Sequence, residues 1–235
     1  MRVSVIIPTY NEAQSIKHVL ADLPAALATE VIVVDSNSTD GTPQVAASLG
    51  ARVLAEPRRG YGRACLTGLA AATSPDIVVF LDGDYSDRPA ELPILLEPIL
   101  EGVADITIGS RLHQQSSEKA LPWHQAFGNR LAASLIRLLY GLKITDLGPF
   151  RAARAEVLRS LALEETTYGW AVEMILKGAL AGYRIVEVPV SYYPRIGQSK
   201  ISGTLKGTLG AGWFILSLIV RYYFRHQKIV TSRPA

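Results

Sequence analysis

The first half of the chain alternates short β-branched runs with helix-like segments, and this order constrains the fold more than any other feature. Strand-like runs occupy residues 3–8, 30–35, 52–55 and 76–81, with apolar residues at helical spacing between them. Such an order is typical of parallel strands joined by crossover helices. We therefore expect an α/β fold with a Rossmann-like, mostly parallel central sheet and flanking helices.

The second half predicts further elements of the same kind, followed by a helical tail. Helices are expected over 91–101, 123–140, 155–161 and 168–181, strands over 105–109 and 184–190, and an irregular connector over 146–154. From residue 202 onward the pattern indicates one or two helices. We predict a catalytic domain over residues 1–200 and an amphipathic helical tail over 201–235.

The net charge of +3 conceals a division along the chain. All 21 acidic residues lie before residue 188, whereas residues 188–235 contain seven basic residues. The longest uncharged stretch of the tail, 207–220, is shorter than the roughly 20 residues that span a bilayer. The tail instead places its apolar residues on one helical face, flanked by Lys and Arg: Leu205, Leu209, Trp213, Leu216, Val220, Tyr223 and Phe224.

This composition predicts a helix that lies in the headgroup layer of a membrane and is attracted to anionic lipids. The alternative is that the helix docks on the catalytic core or on another subunit. A single cysteine, Cys65, and the lack of a leader sequence favour the cytoplasm. The expected location is therefore cytoplasmic, peripheral on the inner face of the membrane, and the position of the basic residues argues against nucleic acid as a partner.

Polar residues follow the predicted strands at the points where parallel strands end. Residues 8–12, Asp35, 56–60, 82–84 and 109–111 all occupy such positions. Ligands bind at this rim of open α/β sheets, so acids and arginines there suit a metal-bound polyphosphate. The P-loop, dinucleotide and EF-hand signatures are absent. Asp82-Gly83-Asp84 can instead share an octahedral cation with diphosphate oxygens.

Three motifs together resemble the family 2 glycosyltransferases of GT-A fold. They are residues 5–12 (VIIPTYNE), 33–42 (VVDSNSTDGT) and 80–84 (FLDGD). Further segments are similar to the dolichyl- and polyprenyl-phosphate mannosyl- and glucosyltransferase branch: 109–111 (GSR), 129–130 (NR), 146–151 (DLGPFR) and 187–190 (EVPV), with Arg195 and 197–200 (GQSK).

The resemblance implies a role for each matching residue. The residues expected to bind the nucleotide-sugar are Pro8, Tyr10, Glu12, Asp35, Arg63 and Asp82. Asp82 and Asp84 would meet Mg²⁺ or Mn²⁺. The expected catalytic residues are Asp84, Arg111, Arg130 and Glu173, while Arg130, Arg195 and Lys200 would bind the acceptor phosphate. Ser86 or Asp87 stands where the branch often has a further metal-assisting side chain.

Glu173 separates two acceptor classes. A hydroxyl acceptor needs a general base, which Glu173 could supply. A phosphate monoester is already nucleophilic near neutral pH and needs only cations to position it. A third interpretation is structural, with Glu173 paired to an arginine such as Arg151 or Arg184.

The leading hypothesis is a metal-dependent inverting hexosyltransferase that acts on a polyprenyl or dolichyl phosphate. UDP-glucose is the preferred donor, and GDP-mannose is the second. Transfer to a hydroxyl of a lipid or saccharide is the alternative, and a catalytically silent nucleotide-sugar-binding protein at the membrane belongs to a different class. The expected partners are the donor, the lipid acceptor and the membrane surface, and the sequence leaves room for a homo-oligomer.

Overall fold

A computed structural model describes residues 1–112, 123–197 and 205–231, and within these ranges the chain forms a seven-stranded sheet covered by helices. The strand order is β3-β2-β1-β4-β6-β5-β7. The strands are β1 (Val3–Thr9), β2 (Glu30–Asp35), β3 (Arg52–Ala55), β4 (Ile77–Phe80), β5 (Ile106–Ser110), β6 (Arg151–Arg154) and β7 (Ile185–Pro189). The predicted α/β fold is confirmed.

The helices follow the strands in the expected alternation. They are α1 (Ala13–Asp22), α2 (Thr42–Ser48), α3 (Tyr61–Ala71), α4 (Leu92–Leu100), α5 (Trp123–Tyr140), α6 (Ala155–Leu161), α7 (Trp170–Leu180) and α8 (Leu205–Thr231), with a short 3₁₀ turn at Pro89–Glu91 before α4. The tail is thus one helix over the residues that the structure describes.

One strand was not predicted. The expected connector over 146–154 contains β6, which pairs antiparallel with both β4 and β5. Arg151 at the start of β6 lies opposite Phe80 near the end of β4 and opposite Ile108 of β5. Because β6 runs in the opposite direction, the segment that precedes it lies at the same rim as the segments that follow β4 and β5.

The buried apolar residues form two clusters, one on each face of the sheet. Alternate residues of a strand face opposite sides, so Ile6 of β1 belongs to one cluster and Val5 and Ile7 to the other. Helices α3, α5, α6, α7 and α8 contribute to the cluster around Ile6, and α1 and α4 to the cluster around Val5. The sheet is therefore covered on both faces, as parallel strands require.

Helix α8 packs on the catalytic core. Leu218 is almost fully buried and Ile219 completely so, and Phe214 and Tyr222 are partly buried in the same cluster. Of the predicted apolar face, Trp213, Val220 and Phe224 are exposed, so a different face makes the main packing contact. The side chains of Leu205 and Leu209 lie outside the described residues.

Two further points concern the tail. Within the described ranges, no helix has both the length and the apolar character needed to cross a membrane. The predicted domain boundary at residue 200 falls in 198–204, outside the described residues, so that division stays a prediction.

Candidate active site

The Asp-x-Asp motif forms a tight turn directly after β4. The Ser86 backbone N–H and hydroxyl both donate to Asp84 Oδ1, at 2.9 and 2.6 Å. A Cβ at Gly83 would lie 2.9 Å from Thr9 Cγ2, so only glycine lets the turn approach the end of β1 this closely. Ser86, expected as a possible metal helper, instead orients Asp84 in this structure.

Two carboxyl groups of this turn have buried oxygens without a hydrogen-bond partner among the described residues. They are Asp82, through Oδ1, and Asp87, through both oxygens. Burial and the nearby charge of Asp84 raise the pKa of Asp82 to about 7. Burial and the charge of Asp82 likewise raise the pKa of Asp87 well above its usual value. Arg111 opposes both increases and Arg195 opposes that of Asp82, but burial and the neighbouring carboxylates outweigh these cations.

Arg195 is the cation closest to this turn in the described chain. Its guanidinium contacts Glu12 Oε1 at 2.9 Å and Asp84 Oδ2 at 3.3 Å. The segment that carries it is fixed by two backbone bonds, from Tyr193 N to Ser86 O and from Ile196 N to Asp84 O. The structure thus brings together three predicted site residues from distant parts of the sequence.

The donor set at the turn fits a hard divalent cation. Mg²⁺ and Mn²⁺ prefer oxygen ligands, and Mg²⁺ commonly takes one or two carboxylates together with phosphate oxygens and waters. The partnerless oxygens of Asp82 and Asp87 are ligands of this kind, and those of Asp84 are contacted by Ser86 and Arg195, so Asp84 would have to exchange its contact with Arg195 for the cation. No group of three or more metal-ligating side chains is assembled within the described residues, so the protein would share the cation with the donor diphosphate.

The predicted nucleoside side of the rim is built from the ends of β1 and β2. Asp35 Oδ1 accepts hydrogen bonds from the hydroxyls of Ser38 and Thr9, and Oδ2 accepts from the Ser38 backbone N–H. These bonds fix the carboxylate in place and leave Asp35 Oδ2 able to accept from a further donor. Tyr10 lies beneath Arg59, whose guanidinium is 4.4 Å from the ring centroid. Pro8 lies in β1 opposite Val34.

Arg63 lies in the first turn of α3, and its backbone is tied to a loop from the other half of the chain. Its N–H donates to Thr166 O, and the Gly62 N–H donates to Thr167 O, both at 3.0 Å. A Cβ at Gly62 would lie 2.3 Å from Glu165 O, so glycine is required at this contact. Arg63 Nε is buried without a partner among the described residues.

Arg111 belongs to a buried ion-pair network. Its Nε and Nη2 donate to the two oxygens of Asp146, each at 2.8 Å, and Asn129 Nδ2 donates to Asp146 Oδ1 at 2.6 Å. Burial opposes the charge of Arg111, but Asp146 outweighs it and raises the pKa of Arg111. Tyr192 lies against the guanidinium, with 4.9 Å to the ring centroid.

Two predicted cations remain, Arg130 and Lys200. Arg130 is exposed, next to Asn129 on α5. Lys200 lies outside the described residues. Of the three residues predicted to bind the acceptor phosphate, the structure therefore describes Arg130 and Arg195.

Glu173 is completely buried, and its carboxylate is surrounded by donors. It accepts from the backbone N–H groups of Glu164 and Glu165, from Lys177 Nζ at 2.9 Å and from the Tyr222 hydroxyl at 2.8 Å. Burial opposes ionisation, but the bonds from Lys177, Glu165 and Tyr222 lower the pKa of Glu173. This geometry favours the structural interpretation.

The cation that pairs with Glu173 was predicted incorrectly. It is Lys177, not Arg151 or Arg184. Arg151 is buried and donates to the carbonyls of Leu147, Gly148 and Ala171. Arg184 pairs with Asp105.

Two contact residues of the rim were missed from the sequence. Arg59, which stacks on the Tyr10 ring, lies in the polar segment 56–60 after β3, and that segment was already predicted to lie at the rim. Tyr192 lies just beyond β7, and its contact with Arg111 could be found only from the fold.

Comparisons with known proteins agree with this architecture. The family model described as "Glycosyl transferase family 2" matches residues 4–162. An undecaprenyl-phosphate mannosyltransferase from Micrococcus luteus is 37% identical over 229 residues, covering 88% of this chain and 90% of the relative. A dolichyl-phosphate hexose transferase from Haloferax volcanii is 35% identical, covering 84% and 86%.

A solved structure is similar over most of the chain. It is glucosyl-3-phosphoglycerate synthase from Mycobacterium tuberculosis in complex with Mn²⁺, UDP-glucose and phosphoglyceric acid, with a TM-score of 0.74 and 26% identity. The match covers 94% of this chain and 79% of the other. The family model matches more than half of the chain, and the Micrococcus relative is 37% identical over 88% of it. This chain therefore belongs to glycosyl transferase family 2 and has the GT-A fold.

Proposed function

We propose that this family 2 enzyme transfers a hexose from a nucleotide-sugar to the phosphate of a polyprenyl or dolichyl phosphate, with inversion at the anomeric carbon. The observation that carries the proposal is the position of Arg111 and Arg195. Arg195 belongs to a segment that is bonded to the Asp-x-Asp turn, and Arg111 lies against Tyr192 of the same segment. Two cations beside the predicted diphosphate site suit an acceptor that is itself a phosphate.

The chemistry of such an acceptor needs no general base. A phosphate monoester has a second pKa of about 6, so near neutral pH it presents a nucleophilic oxygen without losing a proton. That oxygen forms the new bond to C1 of the hexose, the bond from C1 to the donor diphosphate breaks, and the nucleoside diphosphate leaves with the electron pair. The saturated carboxylate of Glu173 supports this acceptor over a hydroxyl.

The residues of the rim divide the work of binding and orientation. Asp35 and Tyr10 would bind the nucleoside, and Arg63 would approach the donor from α3. Asp82 and Asp84 would hold Mg²⁺ or Mn²⁺, which offsets the negative charge that develops on the departing diphosphate. Arg111, Arg130, Arg195 and Lys200 would position the acceptor phosphate for in-line attack.

The donor is proposed in order of preference. UDP-glucose comes first, because the similar solved structure contains Mn²⁺ and UDP-glucose. GDP-mannose comes second, because the Micrococcus relative is named an undecaprenyl-phosphate mannosyltransferase. Another relative, 32% identical, is named polyprenol monophosphomannose synthase, from Mycolicibacterium smegmatis.

The test is a transfer assay with each donor, Mn²⁺ or Mg²⁺, and two acceptors that differ only in the phosphate. We expect a prenyl-phosphate hexose from polyprenyl phosphate and no product from the matching polyprenol. NMR of the product should show the anomeric configuration opposite to that of the donor. Product from polyprenol but not from polyprenyl phosphate would overturn the proposal.

An Asp84→Asn variant provides the matched inactive enzyme. It removes one charge from the turn but keeps an oxygen that can accept the Ser86 hydrogen bonds. We expect turnover to fall by at least a hundredfold and metal-supported donor binding, measured by calorimetry, to weaken. Retained turnover would show that the metal is not held at this turn.

A further inference from the structure

Helices α5 and α8 carry most of the exposed large apolar side chains of the described chain. Six of eleven such residues lie on these two helices. On α5 they are Phe127, Leu131 and Leu138, and on α8 they are Trp213, Val220 and Phe224. Leu138 is 79% exposed and Trp213 is 76% exposed, values far from those of packed core residues.

On each helix the exposed residues form a stripe opposite the packed face. Residues 127, 131 and 138 recur at helical spacing, whereas Ala133 and Ile136 of α5 are buried in the core. Residues 213, 220 and 224 behave likewise on α8, whose Leu218 and Ile219 are buried. Each helix therefore buries one apolar face in the core and presents further apolar side chains on the opposite, exposed face.

The two helices are joined to each other. The Tyr140 hydroxyl, at the end of α5, donates to Ile219 O of α8 at 2.6 Å. The rings of Tyr140 and Tyr223 are in edge-to-face contact at 5.9 Å. We call the exposed residues of both helices the α5–α8 surface.

The charge of the α5–α8 surface has one sign. Neither helix contains an Asp or a Glu. Exposed arginines lie next to the apolar residues, namely Arg130 and Arg137 on α5 and Arg221 and Arg225 on α8. Helices whose exposed apolar side chains are accompanied by arginines, with no acidic residue of their own, are complementary to an anionic lipid surface.

Helix α5 also contributes to the predicted acceptor site. Asn129, between the exposed Phe127 and Leu131, bonds Asp146 and so takes part in the network that holds Arg111. Arg130 is its exposed neighbour. The same helix therefore carries a residue of the Arg111 network on one side and the exposed apolar stripe on nearly the opposite side.

We propose that the α5–α8 surface docks on an anionic bilayer and that α5, together with the tail, sets the depth at which the acceptor phosphate is taken up. The inference rests on the proposed function, which supplies the lipid acceptor. It extends the membrane surface from the predicted tail to a helix inside the catalytic fold.

A second copy of the chain is the less suitable occupant. A symmetric contact through this surface would place arginines against arginines, without an acidic residue on either helix to pair with them. An anionic headgroup layer removes that conflict.

The test is co-sedimentation of the full chain with vesicles of phosphatidylcholine, alone or with part of it replaced by phosphatidylglycerol. We expect binding to the anionic vesicles that weakens as salt is raised. One variant changes α5 through Arg137→Gln and Leu138→Ser, and another changes α8 through Trp213→Ser and Phe224→Ser. Each pair should lower the partition coefficient by about tenfold or more.

A matched control carries Leu49→Ser and Arg159→Gln, which remove an exposed leucine and an exposed arginine outside both helices. The control should bind vesicles like the unchanged protein. Activity on a short, water-soluble prenyl phosphate without vesicles separates the two proposals, because both surface variants should retain it. If the unchanged chain binds vesicles but transfers no sugar, the proposed function is refuted, while docking of the α5–α8 surface on the bilayer is still supported.

Three results would overturn the inference. Normal vesicle binding by the α5 variant would restrict docking to the tail. Equal binding to neutral and anionic vesicles would remove the arginines from the mechanism. Failure of the unchanged chain to bind vesicles, with a dimer that the variants dissociate in analytical ultracentrifugation, would assign the surface to a second copy.

Discussion

Replacing Glu173 with glutamine should destabilise the fold while leaving most of the chemistry intact. The carboxylate accepts from two backbone N–H groups, Lys177 and Tyr222. The glutamine oxygen can keep the backbone donors, and its amide can donate to the Tyr222 hydroxyl after that group rotates. The loss is the ion pair with Lys177 and the charge on the remaining bonds.

The magnitude follows from the exposure of the partner. Lys177 is 21% exposed, so its ammonium can reach water and the pair contributes about 1 kcal/mol. Weakening the charge-assisted bonds from the backbone costs about 1 kcal/mol more. The free energy of unfolding should thus fall by about 2 kcal/mol, which for a chain of this size lowers Tm by about 4–8 °C.

The assay pairs thermal unfolding with turnover on polyprenyl phosphate, using Glu97→Gln on the exposed side of α4 as the control. We expect kcat to remain within about tenfold of the unchanged enzyme at a temperature well below both transitions. A loss of more than about a hundredfold in kcat with an unchanged Tm would refute the structural role and make Glu173 the general base for a hydroxyl acceptor.

Three further predictions concern the rim. Hydrogen bonds first from Arg58 and then from Thr67 lower the pKa of Glu56 to about 2. The Glu56 carboxylate should therefore stabilise the fold above about pH 4.5 and lose that contribution as the pH falls toward 2. In urea denaturation at a series of pH values, Glu56→Gln should remove this dependence of the free energy of unfolding on pH. Gly62→Ala should lower the free energy of unfolding by about 2 kcal/mol or more and raise KM for the donor, whereas Gly128→Ala, with open space around its Cβ, should be neutral or slightly stabilising in the same denaturation assay. In steady-state assays, Arg195→Gln should lower kcat/KM for polyprenyl phosphate by roughly tenfold to a hundredfold, and Arg195→Lys should recover part of it. If Arg195→Gln and the unchanged enzyme have the same kcat/KM, Arg195 does not belong to the acceptor site.

Most strands can be predicted from the sequence because their own residues favour extended structure. The prediction fails for a strand that forms only because neighbouring strands offer it hydrogen-bonding partners. β1, β2 and β4 are continuous β-branched and apolar runs, which is typical of strands buried on both faces. β6 reads Arg-Ala-Ala-Arg and has little intrinsic preference for a strand. It forms because β4 and β5 offer hydrogen-bonding partners on both sides.

The site divides in the same way between local and long-range information. Asp82 and Asp84 are recognisable because both lie in one turn after a buried strand. Lys177 stands four residues after Glu173 on a helix, a spacing from which their pairing could have been predicted. Tyr222 is 49 residues away, and only the packing of α8 brings it to Glu173.

The reversed direction of β6 has a consequence for how such a chain can diversify. β5 ends at the rim and β6 begins there, and the two strands are neighbours in the sheet. The chain therefore leaves the sheet after β5 and returns to it at β6 at the same point of the rim, and the described residues in between are 111–112 and 123–150. That segment includes Arg111, α5 and Asp146. Because both ends of this segment lie at one point of the rim, a change in its length would shift the register of no strand, provided that α5 keeps the side chains that it buries in the core.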